Sequence, residues 1–195
     1  MDKEKKLIDG LRGIIPSLHT PFCNQNKIDI PSLKNLIDHT ISTGCSGMLV
    51  GAVAGENSSL SFEEKMMIID ECLSYNKNRI PIIISCSAKN QKDRVALAKS
   101  AKEAGADWIL CQTPENVSGS ELLQCFNEIA EAGPLNLMIQ DLSWTDNGMS
   151  DEDIMLLFEN INKFRALKIE VLNSGPKYSR ILEAANHQLH LSGGW

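Results

Sequence analysis

Among the side chains of this protein that can do covalent chemistry, Lys168 has the most telling surroundings: it stands in the middle of FRALKIEV, a short apolar run at residues 164 to 171. A lysine in such a run is either a nucleophile turned into a closed pocket or half of a buried ion pair. An amine drawn partly out of water gives up its proton more readily, and it can then attack a carbonyl carbon to form a Schiff base. The ion-pair reading needs a carboxylate, and Glu170, Glu56 and Glu115 are the candidates. Strand alternation sets Ala166, Lys168 and Glu170 on one face and the branched or apolar Leu167, Ile169 and Val171 on the other. The second set suits a layer between sheet and helices, so the lysine points to the inside.

Other chemistries find little support. The six cysteines at 23, 45, 72, 86, 111 and 125 form no CxxC pair, and they read as buried reduced thiols rather than a zinc site or disulfide framework. The four histidines at 19, 39, 187 and 190 have no HExxH or comparable spacing, so no metal centre is expected. A formal charge of -6 without a dense basic cluster argues against nucleic acid as a partner. MDKEKKLIDG lacks the apolar core of a secretory signal, and no run of about 18 apolar residues is present to span a bilayer. A cytoplasmic location and no membrane association are the expectations.

The elements that must position Lys168 alternate along the chain. Short apolar runs at 13 to 22, 47 to 53, 80 to 86, 107 to 112, 135 to 141, 164 to 170 and 189 to 194 read as strands buried on both faces. Between them lie segments with helical spacing. In IPSLKNLIDHTISTG, Leu33, Leu36, Ile37 and Ile41 share a face, with Pro31 in the first turn and Gly44 as the stop. Ser61 and Glu64 have capping-box spacing, KDRVALAKSAKEAG ends at Gly105, and ELLQCFNEIAEAG ends at Gly133 before Pro134. Ser150 caps an acid-rich first turn, and GPKYSRILEAAN closes the series. Seven strands alternating with six helices imply an α/β fold with a parallel sheet. No GxGxxG follows the first run and no Walker loop occurs, which removes the usual support for a nucleotide-binding open sheet. The expected fold is therefore a (β/α)8 TIM barrel, incomplete because the chain stops at Trp195 just past the seventh run, forming one partial domain over residues 1 to 195.

Sites in such folds form at the carboxyl ends of the strands. Thr20, Glu56, Ser85, Thr113, Glu115, Gln140, Asp141, Lys168, Glu170 and Ser192 all fall there. That one-sided distribution suits a small-molecule pocket, although capping residues at helix starts would imitate part of it.

LHTPF on the first run, GAVAGENSSLSFEE after the second, AKEAGAD before the fourth, TPEN after it, KIE on the sixth and LSGGW on the seventh together resemble the dihydrodipicolinate synthase and N-acetylneuraminate lyase family. The likeness runs from about residue 11 to the end. It implies a barrel of class I aldolase type, a Schiff base between Lys168 and pyruvate or a related 2-oxo acid, no cofactor because the lysine is itself the electron sink, and association into homo-oligomers. It also assigns substrate contacts to Val53, Ala54, Gly55, Glu56, Ser192 and Gly193.

Several positions depart from the family pattern. Where the family has Gly-Thr-Thr-Gly-Glu, this chain has Ala52, Val53, Ala54, Gly55 and Glu56, so both hydroxyls are replaced while backbone N–H groups remain. Gln140 stands in place of the proton-shuttling tyrosine, Thr145 in place of an arginine that receives the second substrate's carboxylate, and Glu115 and Asn116 in place of a tyrosine pair. An amide is neither acid nor base near neutral pH, which leaves Glu115 or Asp141 to take that work. The resemblance implies a carbon-carbon lyase with a substrate other than that of the synthases. A ligand-binding or regulatory protein that has lost catalysis, and a truncated fragment without function, are the competing readings.

Overall fold

Residues 11–193 are described by the structure, a computed structural model. Six of the apolar runs become parallel strands: β1 Met48–Val50, β2 Ile82–Ser85, β3 Trp108–Gln112, β4 Asn136–Leu142, β5 Phe164–Glu170 and β6 His190–Gly193. They pair in chain order within a single sheet. One α-helix, α1 Ile30–Ser42, precedes β1, and five fill the connections between strands: α2 Phe62–Asn76, α3 Gln91–Glu103, α4 Gly119–Ala132, α5 Asp151–Asn160 and α6 Ser174–Ala184. Their starts follow the local chemistry. Ser61 Oγ accepts from the Glu64 amide at 3.1 Å while Glu64 accepts from the Ser61 amide at 2.8 Å, a reciprocal cap on α2. Ser150 Oγ accepts from the Asp153 amide at 3.0 Å, and three acids occupy the first turn of α5.

The seventh expected strand, the first in the chain, does not form as a regular strand. Residues 13 to 22 make an isolated parallel bridge, Ser17 to Leu49, with Leu18 donating to Leu49 O and Leu49 donating to Pro16 O. Proline explains the shortfall: Pro16 and Pro21 bring no N–H, so a continuous ladder cannot run through this stretch. β1 is likewise shorter than its apolar run, because residues 51 to 59 turn away through two short 3-10 turns.

Both faces of the sheet are covered. Ile84, Ile109, Ile139, Leu167 and Ile169 pack outward against helix residues such as Leu97, Phe126 and Leu157. A smaller inner cluster of Leu49, Ile83, Leu110, Met138 and Ala166 lines the concave side. Strand register carries this pattern upward in layers. Leu110, Met138, Ala166 and His190 are partners across β3 to β6, and two residues later Gln112, Gln140, Lys168 and Ser192 are partners in turn. An apolar floor thus gives way to a polar rim at the carboxyl ends of the strands.

Cys72, Cys86 and Cys111 are buried, but Cys45 and Cys125 are half-buried and Cys23 is exposed on a loop, which corrects the expectation of uniformly buried thiols. Burial pushes the Cys72 thiol up to about 12. No helix among the described residues is long and apolar enough to cross a membrane. No group of three metal-ligating side chains occurs among the described residues.

Candidate active site

Lys168 and Glu170 share the inner face of β5, as alternation requires, and their side chains meet: Nζ lies 2.7 Å from Oε2, with side-chain exposures of 17% and 13%. Of the three carboxylates considered from sequence, the structure pairs Glu170 with the lysine; Glu56 and Glu115 are exposed on their loops. The same Oε2 accepts a hydrogen bond from Gln140 Nε2 at 2.5 Å. Gln140 is 2% exposed and sits directly opposite Lys168 on β4. Lysine, carboxylate and amide therefore form one contiguous cluster spanning two strands. Among the described residues no other acceptor reaches the Lys168 ammonium, and no donor reaches Glu170 Oε1. Ser192, half-buried on β6, flanks Lys168 on its other side in the same register row, and the following Gly193 is exposed.

The turn after β1 is built from small residues because the chain must double back tightly. Gly51 adopts φ +71, and Asn57 ties the turn down by donating to Gly51 O at 2.6 Å while accepting from Lys65 Nζ at 3.0 Å. Gly55 is buried beneath Thr20, whose hydroxyl donates to Gly55 O at 2.7 Å, and an added Cβ there would approach Leu18 O to 2.9 Å. Hydrogen bonds within the turn use the amides of Gly55, Glu56 and Asn57, which leaves those of Val53 and Ala54 outside that set. Val53 is exposed, as is Ala54, yet Val53 borders a cavity of about 180 Å3 that is also lined by Gln140, Gln112, Ser85 and Trp144. Glu56 adopts a left-handed conformation and is exposed, with no ion pair among the described residues. The site residues inferred from sequence thus divide. Lys168, Gln140 and Ser192 share one row, Val53 joins Gln140 at a cavity, Gly55 is a packing residue, and Ala54, Glu56 and Gly193 lie at the exposed margin.

Asp141 does not stand on the rim with Gln140. It is the next residue along β4 and so faces the opposite side, 0% exposed, with Oδ2 2.5 Å from Lys177 Nζ of α6. Lys177 also donates to the carbonyls of Asn147 at 2.7 Å and Met149 at 2.5 Å, so each of its three N–H groups has an acceptor. Asp141 Oδ1 accepts from the Met149 amide at 2.9 Å. Burial raises the Asp141 carboxyl above its ordinary range, against the lowering effect of Lys177 and of the Met149 amide. This pair staples the loop from 142 to 150 to α6 and is closed to a substrate, which corrects the assignment of Asp141 as a rim acid or base. Glu115 is exposed in a loop with a left-handed Asn116 and has no ion pair among the described residues. Thr145 is also exposed, its amide donating to Ser143 Oγ at 3.4 Å.

Residues 10–194 match the pattern of the Dihydrodipicolinate synthetase family. The chain belongs to that family. A 4-hydroxy-tetrahydrodipicolinate synthase of Neisseria gonorrhoeae is 29% identical over 188 residues, a stretch that is 91% of this chain and 65% of the relative. The chain therefore spans slightly less than two-thirds of the length of that family member. Among solved structures, the dihydrodipicolinate synthase of Acinetobacter baumannii complexed with pyruvate aligns at a TM-score of 0.85 with 28% identity, covering 94% of this chain and 64% of that one. The N-acetylneuraminate lyase of Mycoplasma synoviae aligns at a TM-score of 0.82 with 24% identity over 96% and 64%, which shows a shared fold. The six-stranded parallel sheet is thus the sheet of this family's barrel structures over the aligned residues.

Proposed function

We propose that the protein is a Schiff-base carbon-carbon lyase or aldolase acting on pyruvate or another 2-oxo acid, with Lys168 as the nucleophile and residues 1 to 195 acting as one domain. The observation that carries this reading is the setting of the Lys168 ammonium. It stands one layer above an apolar floor, inside the sheet of a family whose Acinetobacter relative is described in complex with pyruvate, and among the described residues it holds a single ion-pair partner while still reaching solvent. The free amine attacks C2 of the oxo acid, and the Schiff base then draws electrons from C3 with no metal or cofactor required.

The amides of Val53 and Ala54 are suited to receive the substrate carboxylate in place of threonine hydroxyls, with Ser192 beside the lysine as a further donor. Gln140 acts as a binding and positioning group rather than as the tyrosine's substitute in proton transfer. With Thr145 where the synthases carry an arginine, the second reactant is one that presents no carboxylate to that loop. Association into homo-oligomers accompanies the reading.

Whole-protein mass spectrometry after borohydride reduction with a panel of 2-oxo acids, pyruvate first, tests it. A single stable adduct per chain is the expected result. No adduct with any acid of the panel would sink the reading.

A further inference from the structure

We propose that Glu170 is the proton-transferring catalytic residue of this site, taking the role that the amide of Gln140 cannot fill. The inference rests on Lys168 being the Schiff-base residue. Its own support is geometric: the Glu170 carboxylate is 2.7 Å from the reacting nitrogen, 13% exposed, and held by Gln140 Nε2 at 2.5 Å. Both of those contacts fall on Oε2. Oε1 meets no donor among the described residues and is left for a substrate proton.

A purely structural ion pair would look like Asp141 and Lys177, sealed and with every ammonium proton accepted. The pair at Lys168 is not sealed, and among the described residues it is not saturated. Among the described residues no other carboxylate or imidazole facing this site competes for the role. On β4, Asp141 points to the helices; on β6, His190 lies one layer lower, opposite Ala166, with burial and the Arg12 charge holding its imidazole below the usual range. In the surrounding loops Glu56, Glu115 and Asp146 are exposed.

The protons balance through this one carboxylate. The Lys168 ammonium passes a proton to Glu170, and the free amine forms the C2–N bond as the carbonyl π pair moves to oxygen, which takes that proton. The nitrogen returns a proton to Glu170, which hands it to the new hydroxyl; water leaves and the C=N bond forms, with Lys168 nitrogen carrying the positive charge. The carboxylate so regenerated removes a proton from C3, the C–H pair becomes the C2–C3 double bond, and the iminium charge is neutralised as the enamine forms.

The test uses the full chain with pyruvate in D2O, following methyl exchange by NMR alongside borohydride trapping. Wild type should be trapped and should exchange the methyl protons. Glu170→Gln should reach the same final extent of trapping, showing an intact pocket, but more slowly because water must take over the proton transfers of Schiff-base formation, while exchange falls by about 100-fold or more and its rate loses its pH dependence. Glu170→Asp should restore part of the exchange and the pH dependence, which a packing role would not. An exchange rate in Glu170→Gln equal to wild type, or one with the same pH profile, overturns the proposal. Absence of any wild-type adduct instead overturns the Schiff-base reading itself, and with it this inference.

Discussion

Two lysines meet two carboxylates around the upper ends of β4 and β5, and their surroundings differ in kind. Lys177 spends its three N–H groups on Asp141 and two loop carbonyls, and its side chain is 3% exposed. Among the described residues Lys168 has one carboxylate partner, shared with Gln140, and its side chain is 17% exposed. Gln140 and Asp141 are consecutive residues, so a single step along β4 separates the inner cluster from the outer staple. A saturated ammonium in a dry site is held in place by everything it touches, whereas an unsaturated one at a wet rim can exchange a neighbour for a substrate. The reactivity proposed for Lys168 therefore rests less on the presence of a lysine–carboxylate pair than on how many of its donors are already spent.

Removing the lysines should separate the two roles. Lys168→Ala should abolish borohydride trapping altogether, and a Lys168→Met chain should keep a melting temperature closer to wild type than any variant of the outer pair. On the other side, Asp141→Ala strands a buried ammonium and should cost about 3 to 5 kcal/mol in chemical denaturation, because the uncompensated charge bears the desolvation cost. Combining Asp141→Leu with Lys177→Met should recover part of that loss, since the charge is then gone as well; a double variant no better than Asp141→Ala would show that the carbonyl contacts, not the charge, hold the loop.

Gly148 offers a smaller perturbation of the same staple. It adopts φ +67, and a Cβ built there would lie 2.1 Å from Asp141 Oδ1, so Gly148→Ala should cost about 1 to 3 kcal/mol while leaving trapping at Lys168 intact. The smallest effect belongs to the cap of α5 just beyond the loop: Ser150→Ala should lower stability by about 1 kcal/mol.

Much of this arrangement was legible in the sequence, because periodicity and capping act locally. The six helices, the reciprocal cap at Ser61 and Glu64, and the inward face of Ala166, Lys168 and Glu170 all follow from spacing alone. The apolar composition of residues 13 to 22 announces a strand that the structure reduces to an isolated bridge, because each of its two prolines interrupts the ladder. Asp141 was misplaced although alternation from Gln140 already turns it outward; its partner Lys177 lies 36 residues on, and no local pattern announces a contact of that range. The role of Glu170 was visible only as one of three possible carboxylates, since choosing among them depends on side-chain distances that spacing does not contain.

Peptide mapping of the borohydride-reduced pyruvate adduct tests the contrast between the two lysines most directly. The account predicts modification at Lys168 and none at Lys177. An adduct on Lys177 or on another lysine, with Lys168 unmodified, would contradict it.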